Sequence, residues 1–432
     1  MRKPVLYRRL LFCVMLASSA QAAPTSSPAS TATSTITSSQ DKLRQFMLQV
    51  RPQPTASQAG GNAVRAAAKV TPEQLQERAD QIKTGETALS NMQLEPALMA
   101  FERAANILHA ADTEIALVRT YMQFGQYRRA LASGAHTAGA HLDVVGGSAL
   151  YAWLLHVGAQ TAIAQRLLAE AQTRMPGDVV LAQVQQQLAS SQPLATGDML
   201  DPPTRLAPYG FAQGIAAGAR VVGSATLLDI DNAQRDKTDN PRSQHAVMPL
   251  ALMPASGKLW LRNGLGMLTQ ARVTKRLPKQ GIAFLALSTA LPLPSDFWAA
   301  DKEPFPGSPG YVVEYVASKA TPDAGPAWPI LRTGFIGGMA GSAGNQRLLG
   351  VDMPPGLRGG PVFDSAGRLV GVAIPGSGSQ SGDQLVTTVA LQKAIGKALA
   401  PAIPAGALSA TTADKIYESS LKSSLQVIAI PQ

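Results

Sequence analysis

The chain has 432 residues, 45% apolar and 15% charged, with a formal charge of +10. That length suits two or three domains at about 100–200 residues each. The single cysteine, Cys13, excludes a disulfide framework, and the absence of Lys/Arg runs or aromatic–basic interleaving gives no nucleic-acid signal.

Residues 1–22 read as a secretory signal. Arg2, Lys3, Arg8 and Arg9 form the basic start, Leu10–Leu16 is apolar, and Ala20-Gln21-Ala22 is an A-x-A cleavage site. Phe12 ahead of Cys13 argues against a lipoprotein site. The apolar run is too short to span a bilayer, and no other stretch does so, although an uncleaved leader would act as an anchor. Cleavage leaves a charge of +6, from 34 Lys/Arg against 28 Asp/Glu. The expectation is a periplasmic or secreted protein of Gram-negative type, with no stable membrane span.

Residues 23–71 are rich in Ser, Thr, Ala and Pro, and Thr25–Gln40 is of low complexity. A disordered linker is predicted, interrupted by a short amphipathic helix over Asp41–Val50.

Over residues 72–190 prolines become rare and apolar residues take helical spacing. Ala97, Phe101 and Ala104 recur as Ala130, Gly134 and Thr137, then as Ala164, Leu168 and Ala171, at offsets of 33 and 34 residues. Gly85, Tyr121, Gly125, Tyr127 and Pro176 fit the same frame. The segment resembles tetratricopeptide repeats, in which small residues let paired helices approach and larger ones fill the gaps. The resemblance implies a stack that docks peptides or proteins; an ordinary helical bundle is the alternative. His109, His136, His141 and His156 show no metal-ligand spacing and are expected at the surface or at helix ends. No cofactor or metal site is expected anywhere.

Residues 191–214 form a second linker, broken by Pro193, Pro202, Pro203 and Pro208. From Phe211 the pattern turns to short apolar runs separated by Gly and Pro, as in an antiparallel β domain. Within residues 215–400 the stretch Gly356-Leu357-Arg358-Gly359-Gly360-Pro361-Val362-Phe363-Asp364 is followed by the turn Ser365-Ala366-Gly367 and by Arg368-Leu369-Val370-Gly371-Val372. This frame resembles the trypsin-like serine peptidases, especially their bacterial periplasmic branch, whose G-x-S-G-G-P loop precedes two such strands. The same residues would also serve as a Gly-Gly-Pro turn in another β domain.

The resemblance implies an antiparallel double β-barrel and three catalytic positions. The nucleophile position holds Arg358, which has no attacking oxygen and keeps its charge. The acid position, in Gly281-Ile282-Ala283-Phe284-Leu285-Ala286-Leu287, holds Gly281, so the carboxylate that would orient a histidine is missing. Ser243-Gln244-His245-Ala246-Val247 resembles the segment of the general base, which makes His245 the histidine candidate or else an ordinary exposed histidine. Gly356, Gly359, Gly360 and Pro361 are the former oxyanion loop. Ser342, Ser365 and Ser377 lack the nucleophile frame.

The expectation is a helical stack followed by a trypsin-like double barrel without catalytic residues. It would bind a protein or extended peptide, another envelope protein foremost, in the cleft between barrels and along an edge strand. Arg358 would anchor a carboxylate there, or it would pair internally, with Asp352 as the candidate. An active peptidase with an unusual site and an envelope assembly component acting through the repeats are the competing readings. Residues 401–432 read as a tail, helical over Ala413–Leu425 and extended over Gln426–Ile430.

Overall fold

The computed structural model describes residues 70–190, 199, 201–211, 215, 218–230, 241–254, 257–315, 324–340, 346–351, 358–376, 382–399 and 409–430. The signal at 1–22, nearly all of the linker at 23–71 and much of that at 191–214 lie outside them. So do Ser342, Asp352, Gly356 and Ser377.

Seven helices come first: α1 (Pro72–Ser90), α2 (Leu94–Ile107), α3 (Ala111–Gln123), α4 (Tyr127–Ala140), α5 (Val145–Val157), α6 (Thr161–Arg174) and α7 (Val179–Ser190). The first begins where its sequence dictates. Thr71 accepts from the Gln74 amide, Gln74 returns the bond to the Thr71 amide, and Pro72 takes the first turn, where no amide is needed. Ala97, Ala130 and Ala164 are fully buried at equivalent places in α2, α4 and α6, as are Ala104, Thr137 and Ala171. Phe101 lies over Gly85. In the first pair, Phe101 fills the space that Gly85 leaves open.

Two antiparallel barrels follow. The first is built from β1 (Arg220–Leu228), β2 (Arg242–Pro249), β3 (Lys258–Asn263), β4 (Leu268–Leu277) and β5 (Ile282–Pro292). The second uses β6 (Pro309–Glu314), β7 (Ile330–Met339), β8 (Gln346–Val351), β9 (Pro361–Phe363), β10 (Leu369–Ile374) and β11 (Gln384–Thr387). Helix α8 (Thr388–Ile395) runs on from β11, and α9 (Ala413–Ser423) leads into β12 (Ser424–Ile430). Both barrels are closed and six-stranded, in the orders β1-β12-β3-β4-β5-β2 and β10-β11-β8-β7-β6-β9. This is the trypsin-like double barrel that the sequence resemblance implies.

The tail expected after residue 400, to be packed on one domain or the other, joins the first barrel. β12 is the sixth strand of the first barrel, paired with β1 through Leu425↔Ala225 and with β3 through Val427↔Leu261. All seven of its residues are buried. Alternation sends Leu425 and Val427 into the main core and Ile428 and Ile430 against Ala219 and Ala324. The first barrel is therefore made from both ends of the β half of the chain.

Helix α9 also joins the barrels to the helices. Tyr417 meets Tyr127 of α4 edge-on at 4.5 Å. Their hydroxyls donate to the carbonyls of Pro329 and Leu154. Arg128 pairs with Glu418 at 2.9 Å, and the Gln123 side chain bonds the backbone of Tyr209 and Leu265. One hydrophobic core runs from Trp153 and Leu168 through Tyr417 to Leu227 and Leu285, so stack and first barrel share a core.

Candidate functional site

The loop before β9 is placed by its glycines and by the face of the first barrel. Gly359 has φ +124, a conformation that side chains disfavour. A β-carbon there would strike the carbonyl of Ser224 and the ring of Pro249. The carbonyls of Arg358, Gly359 and Gly360 accept from the Ser224 amide, the Thr226 hydroxyl and the Ala373 amide, at 3.3, 3.0 and 3.1 Å. The loop is thereby bonded to both barrels. Nearby, the Ser224 hydroxyl accepts from the Tyr315 amide, and the Ser424 hydroxyl donates to the Val313 carbonyl. The polar groups at this junction pair with one another, as buried groups must.

Arg358 is 4% exposed. Its guanidinium donates to Asp383 at 2.8 Å and to Glu314 at 3.4 Å. Glu314 ends an apolar strand, and burial pushes its carboxyl up to about 7, with Arg358 as the main opposing influence. A backbone hydrogen bond from Gly360 also reaches this carboxylate. The internal pairing weighed for Arg358 thus exists with Glu314 and Asp383, while Asp352 lies outside the described residues. An incoming carboxylate would have to displace one of these two acids.

Gly281 follows a single 3-10 turn, Pro278–Gln280, with φ +68. An aspartate here would sit in the left-handed region, and its β-carbon would lie 3.5 Å from Ile374 of the second barrel. The backbone facing Gly281 is that of Leu250, whose amide donates to the Gly281 carbonyl at 2.7 Å. Leu250 opens another 3-10 turn, Leu250–Leu252, at the end of β2.

Strand register separates the histidine candidate from this junction. Pro249 pairs with Ile282, whereas His245 pairs with Ala286, four residues further along β5. Four residues of extended chain amount to about 13 Å. His245 instead lines a separate hollow of about 160 Å³ with Ile230, Thr274, Lys275 and Ile395. The structure bonds Gly281 to Leu250, sets the Arg358 loop against Pro249 next along the chain, and leaves His245 out. The other histidines belong to the helices. His156, expected at the surface or at a helix end, is in the last turn of α5 but buried, and its Nδ1 lies 3.0 Å from the Thr161 hydroxyl. Desolvation, with Arg332 nearby, lowers it to about 4.

Ser365 lies on the β9–β10 turn, where Asp364 accepts from the amides of Ala366 and Arg368 and pairs with the Arg368 guanidinium. The edge-strand mode of peptide capture meets an obstacle in the closure of both sheets. Sequence reasoning missed both acids around Arg358. Val312-Val313-Glu314, an acid closing an apolar strand, carried a signal for one; Asp383, beside a Gly/Ser-rich stretch, carried none.

No protein family's profile matches the chain, and no curated protein does. Among solved structures it is similar to the MamO protease domain from Magnetospirillum magneticum, at 14% identity over 43% of this chain and 98% of that one, with a TM-score of 0.28. It is also similar to an inactive form of Rv3671c from M. tuberculosis H37Rv, at 15% identity over 42% and 86%, TM-score 0.28. A serine endoprotease from Yersinia pestis matches at 12% identity over 41% and 63%, TM-score 0.30. The strand pairing described above, rather than these scores, establishes the architecture.

Proposed function

We propose that this chain is an exported, non-catalytic relative of the trypsin-like peptidases that binds a protein or extended peptide of the cell envelope. One observation carries the reading. The side chain at the nucleophile position is an arginine paired with Glu314 and Asp383, and the loop lies against Pro249, next to the bonded pair Leu250 and Gly281 rather than to a histidine and an acid. Covalent catalysis there would need an attacking oxygen and a base to take its proton. Binding is supported by apolar side chains left on the outside of the second barrel. Phe335 and Met339 of β7 and Leu348 of β8 are exposed on adjacent strands, and such patches mark interaction surfaces.

The test uses an active-site fluorophosphonate and an unfolded protein substrate. Neither labelling nor cleavage is expected from the wild type or from Arg358→Ser. Labelling that disappears when one serine is changed would make the chain an enzyme. A second reading, assembly through tetratricopeptide-like helices, is favoured by Met99, Ile163 and Val179, which are exposed on α2, α6 and α7. Photo-crosslinkers at Phe335 and at Ile163 separate the two: the surface that captures a defined partner is the functional one.

A further inference from the structure

Three of the five histidines, scattered in sequence, meet around one carboxylate in the helical stack. His109 lies in the turn between α2 and α3, Glu114 in the first turn of α3, His136 on α4 and His141 just after it. The Glu114 Oε1 atom is 2.5 Å from Nε2 of His109 and 3.5 Å from Nε2 of His136. Its Oε2 atom is 3.5 Å from Nε2 of His141. The rings of His136 and His141 stand 5.9 and 5.8 Å from that of His109.

Two features argue for a ligand rather than a surface ion pair. The Glu114 side chain is only 11% exposed, and its two buried oxygens, like the buried Nε2 of His141, meet imidazole or carboxylate partners without making an aligned hydrogen bond. Buried polar atoms are normally satisfied. Further, one donor atom from each of His109, Glu114 and His136 lies within 4.8 Å of the others. Ligand atoms on a tetrahedral ion with bonds of about 2.0–2.1 Å are about 3.3 Å apart. Closing the set requires a small inward movement of His136 and an outward movement of His109. These two side chains are 59% and 63% exposed and free to make it.

We propose that His109, Glu114 and His136 bind a late first-row divalent cation of the zinc type, with His141 orienting the second carboxylate oxygen. Two imidazoles and one carboxylate suit zinc, nickel or copper, and are too nitrogen-rich for calcium or magnesium. Three protein ligands leave a coordination position open to water or to a side chain of a bound partner. No local motif marks the site because the ligands come from two helices and a turn, and helix pairing, not spacing, assembles them. The expectation of no metal site rested on that missing motif.

The experiment titrates Zn²⁺ into the full chain, purified without a histidine tag and freed of metal with a chelator, by calorimetry and by thermal unfolding. One ion per chain is expected, with a zinc-dependent rise in melting temperature. His109→Ala and His136→Ala each remove the saturable event and the rise. His141→Ala weakens binding by about 10–100-fold, as loss of an orienting partner does. His245→Ala changes nothing. Glu114→Gln keeps the side-chain shape and also loses binding, so the result does not hang on the folding of any one variant. Absence of a one-to-one event in the wild type, or uptake unchanged in His109→Ala and His136→Ala, would overturn the site.

Discussion

Replacing Arg358 with methionine keeps most of the side-chain volume and removes the charge. In the wild type the guanidinium is 5% exposed and Glu314 is 8% exposed, so the pair is shielded from solvent, whereas Asp383 is 20% exposed and can turn to water. Removing one partner of a buried ion pair typically costs about 3–5 kcal/mol, because the other charge stays buried and unpaired. Here that cost depends on pH in a defined sense. Burial already holds the folded-state value of Glu314 near 7, against 4.5 for the free group. Between those values the native state holds more protons than the unfolded state, so this group's contribution falls as pH rises. Loss of Arg358 removes the main influence that lowers the value, and the native proton is kept to higher pH. Below about pH 5 Glu314 is neutral in both proteins, and the variant loses roughly 1 kcal/mol through the weaker contact with Asp383. At pH 8 the loss rises to about 2–2.5 kcal/mol, because the one pH unit above the wild-type value of about 7 adds about 1.4 kcal/mol. Urea unfolding followed by far-ultraviolet circular dichroism at pH 5 and pH 8 measures both. A second variant, Arg358→Met with Glu314→Gln, should regain most of the pH 8 loss. Equal destabilisation at the two pH values, or no recovery in the double variant, would refute the buried-pair argument.

Three further outcomes follow from other elements. Gly359→Ala should destabilise by at least about 2 kcal/mol, since the new β-carbon meets backbone and the residue holds a positive φ; a stability within 0.5 kcal/mol of wild type, about the noise of a surface change, would mean the loop relaxes freely. Ending the chain at Ser423 removes β12 and exposes the partner edges of β1 and β3; the truncated protein should aggregate or be digested at protease levels the full chain survives. His156, lowered to about 4 by burial, should stay neutral well below pH 6. The unfolded state binds the proton first, so its contribution is lost as pH falls from about 6.5 towards 4. A His156 ring titration by NMR with a midpoint at 6 or above would contradict its burial.

The parts of the molecule that were legible in sequence are those whose period is local. Ala97, Ala130 and Ala164 were readable as buried positions because a small residue is needed where two helices approach closely, and all three are fully buried. The frame from Pro361 to Val372 gave two strands and their turn, because a short hairpin is set by adjacent residues. What was not legible depends on register between distant strands. His245 looked like a base because its neighbours had the right spacing, yet four residues of slip along β5 place it at a different hollow. The closing role of β12 was hidden for the same reason: seven buried residues at the end of a chain do not say which edge they complete.

The placement of β12 also bears on how the two halves act. Helix α9 enters the barrel strand directly, and its Tyr417 and Glu418 hold Tyr127 and Arg128 at the start of α4. The histidine cluster includes His136 on that same helix, and the core that buries Tyr417 continues to Leu421 beneath the first barrel. A ligand that fixes the far end of α4 therefore acts on an element already clamped to the barrels. Through that shared packing, ion binding at His109, Glu114 and His136 should stabilise the whole body in one unfolding transition. A zinc-dependent shift confined to an early, separate helical transition would show instead that the stack unfolds by itself and that the shared core does not couple it to the barrels.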